Sequence, residues 1–194
     1  MKENYKKSYC FLRAIIGFFF KIIYRPTIVG KENIPTSGPV VIAGNHTNDL
    51  DAFLICISTK RMVHFLSKKE LHEGHLSLFF KLVGSIPVDR NIHDKNAKNK
   101  AVDELIKGRV IGIFPEGTIN RTKDIILPFK YGAVSMAQKS GASIVPFSVT
   151  GKFKVFKGNI KITFEKSFKV GNYSLENANK LLESTIKESL INNK

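Results

Sequence analysis

Residues 45–51 read Asn-His-Thr-Asn-Asp-Leu-Asp, one imidazole followed by two carboxylates, directly after the apolar run 39–44. A free imidazole has a pKa of about 6.5, so His46 can take a proton from a substrate hydroxyl at neutral pH. A positioned general base contributes on the order of 10² to 10⁴ in rate. It works best when a carboxylate holds its other ring nitrogen. Two acids compete for that part. On a regular helix Asp49 lies roughly 60° from His46 and Asp51 roughly 140° away, which favours Asp49. Asp51 can be the partner only if His46 stands in a loop ahead of the helix. A histidine close to aspartates is more commonly structural, and an aspartate at a helix start is more commonly a cap.

No serine or cysteine stands in a G-x-S-x-G elbow, so a covalent acyl-enzyme is not suggested and the base would act on a substrate hydroxyl. Two further loops carry arginines after Gly and Pro: 84–90 (GSIPVDR) ends in Arg90, and 114–121 (FPEGTINR) ends in Arg121. A guanidinium so placed can grip a phosphate through two parallel hydrogen bonds, or be a solvated surface charge. His72 and His75 have H-x-x-H spacing without a third ligand, so neither a metal nor a cofactor is expected.

These loops need strands and helices to aim them. Buried strands are expected at 39–44, 110–114 and 142–149, with a further possible strand at HFL, 64–66. Helices are expected over 50–58, 69–83, 91–107, 130–140 and 174–191, with Gly108 and Gly141 closing two of them and Ser174 opening the last. The stretch 152–166 alternates with period two around residues 157–159 and reads as a hairpin. Strands alternating with helices predict an α/β fold with a mixed, mainly parallel sheet flanked by helices. Side chains that act on ligands then sit beyond the C-terminal ends of the strands.

The chain of 194 residues carries 31 Lys and Arg against 16 Asp and Glu, a net +15 that favours a polyanionic partner. No nucleic-acid recognition pattern appears, and the basic residues near the N-terminus interleave with aromatic ones. Cys10 and Cys56 sit in apolar surroundings and suggest no disulfide framework. In residues 1–25 the apolar run Ala14–Phe20 is far short of the roughly 20 residues that span a bilayer. On a helical wheel Lys6, Lys7, Arg13, Gly17, Lys21 and Arg25 share one sector, and Phe and Ile fill the remainder. The expectation is an amphipathic helix over 1–25 lying in an anionic membrane interface, followed by one domain over 26–194.

Four ordered blocks, NHTNDLD, GSIPVDR, FPEGT and IVPFSVT, resemble those of the glycerolipid acyltransferases of the lysophosphatidic acid acyltransferase type. The resemblance covers residues 25–165 and includes SKKEL (67–71) and LPFKYGA (127–133). It implies an H-x4-D pair, His46 and Asp51, in which His46 deprotonates the sn-2 hydroxyl of lysophosphatidic acid and Asp51 orients the imidazole. Arg90, Lys68, Glu116 and Gly117 would form the phosphate site. Many members carry Arg directly after FPEGT. Here Ile119 and Asn120 intervene, leaving Arg121 to reach from a longer loop. The resemblance further implies acyl carrier protein or acyl-CoA as donor, phosphatidic acid as product, and residence at the cytoplasmic face of the cell membrane as a peripheral or monotopic protein. Another lysolipid, such as a lyso-ornithine lipid or lysophosphatidylglycerol, is a rival acceptor. A basic lipid-binding module without catalysis is the rival class.

Overall fold

The computed structural model describes residues 2–89, 92 and 94–193. Eight strands form one sheet: β1 (Thr27–Val29), β2 (Val40–Gly44), β3 (Val63–Lys68), β4 (Ile86–Val88), β5 (Val110–Ile113), β6 (Ser143–Gly151), β7 (Ile160–Phe164) and β8 (Phe168–Lys169). The order is β1-β7-β6-β2-β5-β3-β4, with β8 beside β6. β2 through β6 run parallel, whereas β7 and β8 are antiparallel to β6. The mixed, mainly parallel sheet expected from the sequence is therefore present.

Helices cover both faces. α1 (Lys2–Tyr24) and α2 (Asp51–Ser58) lie on one, and α4 (Lys95–Ile106), α5 (Gly132–Ser140) and α6 (Leu175–Asn192) on the other. The centre of the sheet shows why its strands read as unbroken apolar runs. Val40, Ile42, Val110 and Val145 pack under α2, while Val41, Ala43, Ile111 and Ile144 pack under α4 to α6. All five residues of β2 are buried.

Four expectations need correction. The helix expected over 69–83 is a 3₁₀ turn (Lys69–His72) and the short α3 (Ser77–Leu82), separated by a turn at Gly74. The helix expected from residue 91 begins at Lys95, capped by the Asp94 carboxylate, which accepts from the Ala97 N–H at 2.9 Å. Three short strands, β1, β4 and β8, carried too few residues for a period to register. The fourth is the hairpin. β6 runs on to Gly151 and pairs directly with β7, so 152–159 is its connecting loop and KFKVF is not a strand. The cause lies at Gly151, whose φ is +85°; a Cβ there would run into the Asn159 carbonyl. The chain must leave the ladder at that glycine.

The N-terminal segment is helical, but the sector holding Arg13 and Gly17 faces the domain. Arg13 Nη1 donates to the Thr59 carbonyl at 2.7 Å, Gly17 abuts Ile57, and Tyr9 and Phe20 are buried beside them. Phe11, Ile15, Phe18, Phe19 and Ile22 point outward, each at least 42% exposed. No helix among the described residues is long and apolar enough to cross a membrane.

Candidate active site

β2 ends at Gly44, and its ladder is prolonged by a side chain. The Asn45 amide donates to the Val149 carbonyl at 3.0 Å and accepts from the Val149 N–H at 2.7 Å. That pair of hydrogen bonds aims the next residue, His46, off the C-terminal end of the sheet. His46 to Asn48 are non-helical, and α2 begins only at Asp51.

Asp51 gathers this loop around its carboxylate. Oδ2 accepts from the Thr47 N–H at 2.6 Å and the Asn48 N–H at 2.8 Å, and Oδ1 accepts from the Thr47 hydroxyl at 3.1 Å. His46 Nδ1 meets Oδ2 at 3.1 Å. Asp51 is fully buried and sits in the first turn of α2, where the helix dipole favours a carboxylate. With its oxygens receiving these other donors, Asp51 is the acceptor for His46 as well, so Nδ1 carries the hydrogen and Nε2 has the free lone pair. Asp49 lies exposed in the turn. The choice that helix geometry left open is thereby settled: the loop, not the helix, holds His46, and the imidazole pairs with Asp51.

The loop after β5 closes over the histidine. The Phe114 ring stacks on the imidazole, centroids 3.9 Å apart and planes 14° from parallel. Glu116 is 4% exposed and braces two segments at once, accepting the His46 N–H on Oε1 and the Leu127 N–H on Oε2, both at 2.8 Å. Burial raises its carboxyl above the ordinary range, opposed by these two backbone hydrogen bonds. The Asn120 N–H donates to the His46 carbonyl at 2.9 Å. Gly117 turns the chain with φ +75°, a conformation costly for any residue with a Cβ.

The remaining candidates lie around this centre. Lys68 ends β3 and is exposed; its register partner on β4 is Val88. Arg90, two residues beyond Val88, lies outside the described residues. Arg121 is exposed, immediately after the Asn120 that bonds His46. Two participants escaped sequence reasoning. Phe114 gave no signal beyond preceding PEG, and Lys130 lay in the LPFKYGA stretch without a role. The Lys130 amine rests against Gly117, 2.8 Å from where a Cβ would stand, and the backbone N–H of Lys130 donates to the Pro115 carbonyl at 2.9 Å. His72 Nε2 pairs with the Ser67 hydroxyl at 2.9 Å, and no group of three or more His, Cys, Asp or Glu among the described residues could hold a metal ion.

An imidazole tethered at one nitrogen, stacked against an aromatic face and without a hydrogen bond to the other nitrogen among the described residues is built to move a proton. A family model described as Acyltransferase matches residues 25–150, which include all of these groups. The chain belongs to the acyltransferase family. Among the relatives of this acyltransferase, the 1-acyl-sn-glycerol-3-phosphate acyltransferase of Bacillus subtilis is 32% identical over 141 residues, 70% of this chain and 69% of that protein. The enzyme of the same name from Borreliella burgdorferi is 34% identical over 157 residues, 79% of this chain but only 62% of its own length. The fold matches the crystal structure of the 1-acyl-sn-glycerophosphate acyltransferase PlsC from Thermotoga maritima with a TM-score of 0.72 at 23% identity, covering 86% of this chain and 71% of that one.

Proposed function

We propose that the chain transfers an acyl group from a thioester to the sn-2 hydroxyl of lysophosphatidic acid, giving phosphatidic acid. The observation that carries this reading is the His46 to Asp51 pairing through Nδ1, which leaves Nε2 for the hydroxyl proton. As that proton moves to Nε2, the hydroxyl oxygen attacks the thioester carbonyl. The tetrahedral intermediate collapses, the carbon–sulfur bond breaks, and the imidazolium returns the proton to the leaving thiolate. Asp51 acts as a positioning residue that keeps the ring in one orientation. The names carried by the Bacillus and Borreliella relatives support this acceptor.

In this reading Lys68, Arg90 and Arg121 hold the phosphate, while Glu116, Gly117 and the Lys130 packed against Gly117 shape the loop that presents it. The donor is acyl carrier protein or acyl-CoA. α1 docks on the cytoplasmic face of the membrane through its outward Phe and Ile stripe, and Lys7, Lys21 and Arg25 reach anionic headgroups. The test is direct. Purified protein given lysophosphatidic acid and either thioester should release free thiol and form phosphatidic acid, resolved by mass spectrometry. Absence of product with both donors would sink the proposal.

A further inference from the structure

The alternation Lys-Phe-Lys-Val-Phe-Lys over 152–157 is the pattern of a half-buried strand, yet these residues form no strand. Their pattern therefore needs another cause. After Gly151 the chain swings to the C-terminal end of α1. Phe153 turns in, its ring edge-on to Tyr24 at 5.4 Å and to Phe20 at 6.1 Å. The Phe156 N–H donates to the Ile23 carbonyl at 2.6 Å, satisfying one of the carbonyls a helix end leaves open. Phe156 itself holds φ at +59°, a strained setting for an aromatic residue. The anchored backbone thus presents Val155 and Phe156 to water at 55% and 58% exposure, bracketed by exposed Lys152, Lys154 and Lys157. No acid occurs anywhere from 151 to 164.

We propose that the loop 152–157 is a second membrane anchor, inserting Val155 and Phe156 into an anionic lipid surface while its three lysines engage the headgroups. The inference rests on the docking of α1 and extends it. The occupant follows from charge and texture. Cations flanking an exposed apolar pair match the headgroup–acyl boundary. A second copy of the chain would instead bring one +15 molecule against another. Geometry adds a consequence. The loop leaves the C-terminal end of β6, the same end of the sheet at which parallel β2 delivers His46. Two anchors, one helix and one loop, would turn the His46 end of the sheet toward the bilayer.

The chain contains no tryptophan, so Phe156→Trp makes a single reporter in the full-length protein. With phosphatidylcholine vesicles containing phosphatidylglycerol, its emission should shift to the blue and be quenched by brominated acyl chains. Tyr173→Trp, exposed just ahead of α6, should do neither. Val155→Ser with Phe156→Ser should weaken vesicle partitioning at least about tenfold with the far-UV spectrum and Tm unchanged. Lys154→Glu with Lys157→Glu should measurably reduce the dependence on phosphatidylglycerol, and an unchanged dependence would overturn the loop's part in headgroup binding. A vesicle-bound Phe156→Trp protein with unshifted emission overturns the loop and leaves α1 standing. If Phe18→Ser and Phe19→Ser are added to the Phe156→Trp reporter and the protein still binds with a blue shift, the loop is supported as an anchor that holds without those two rings. Wild-type protein that ignores vesicles overturns both. A dimer in sedimentation that Phe156→Ser dissociates overturns the loop alone, because the occupant is then a second copy.

Discussion

Around His46 the polar groups find partners within the chain: Asn45 on Val149, the Thr47 and Asn48 N–H groups on Asp51, the His46 N–H on Glu116, its carbonyl on Asn120. Along the outward face of α1 the opposite holds. Phe11 and Phe18, both above 60% exposed, meet water that packing would have excluded. Both regions depart from what a protein surface ordinarily does. The first is immobilised by hydrogen bonds that leave one imidazole nitrogen free, which is the preorganisation a reacting centre needs. The second carries exposed apolar area, worth on the order of 25 cal/mol per Å² if it were buried. One region satisfies its polar groups within the chain, and the other leaves its apolar side chains exposed.

Breaking the first region should have the largest effect. Asp51→Ala strands four donors, the Thr47 and Asn48 N–H groups, the Thr47 hydroxyl and Nδ1 of His46, that now converge on a buried carboxylate. The expected loss is about 2 to 4 kcal/mol in urea denaturation, with acyl transfer down by roughly 10² to 10⁴. Retention of both would mean that Asp51 does not hold the loop. Breaking the second region should leave the fold alone. Phe18→Ser with Phe19→Ser should cut binding to anionic vesicles by at least about tenfold in flotation assays, at an unchanged Tm. A matching fall in Tm would show that these rings pack within the protein.

A smaller change sharpens where one region stops and the other begins. Arg13→Ala should destabilise by about 1 kcal/mol, because its bond to the Thr59 carbonyl belongs to the domain, while vesicle binding stays within about twofold. Loss of vesicle binding without loss of stability would assign Arg13 to the lipid side. The smallest effect concerns Glu116. Burial raises its folded pKa above the ordinary 4.5, so the folded state holds the proton more tightly than the unfolded state. Its contribution to stability is then full below pH 4.5 and is lost as pH rises through the raised value. The Tm advantage of wild type over Glu116→Gln should accordingly shrink as pH rises; an advantage that grew would contradict the burial.

Much of this arrangement was legible in the residues, and the failures have physical causes. The buried runs of β2, β5 and β6 and the H-x4-D spacing were readable because strand burial and a fixed loop length act locally. The choice of Asp51 over Asp49 was readable only through the family's spacing, since it depends on His46 standing in the loop and α2 starting no earlier than Asp51. Helical periodicity located a basic sector on α1. It could not say that Arg13 would turn inward, because that depends on a carbonyl 46 residues away. The alternation that begins at Lys152 misled for a different reason: the chain leaves the ladder at Gly151, whose positive φ and close approach to the Asn159 carbonyl no residue period reveals. Phe114 and Lys130 gave no sign of their place because each acquires it through a contact made by the folded chain.

The central claim is that His46, held by Asp51, is the base that moves the hydroxyl proton. It is tested most directly by comparing His46→Ala with wild type, donor and acceptor saturating, with Tm measured on the same preparations. The expected result is acyl transfer reduced by about 10³ or more at a Tm within a few degrees of wild type. Transfer by the His46→Ala protein at wild-type rates would contradict the account.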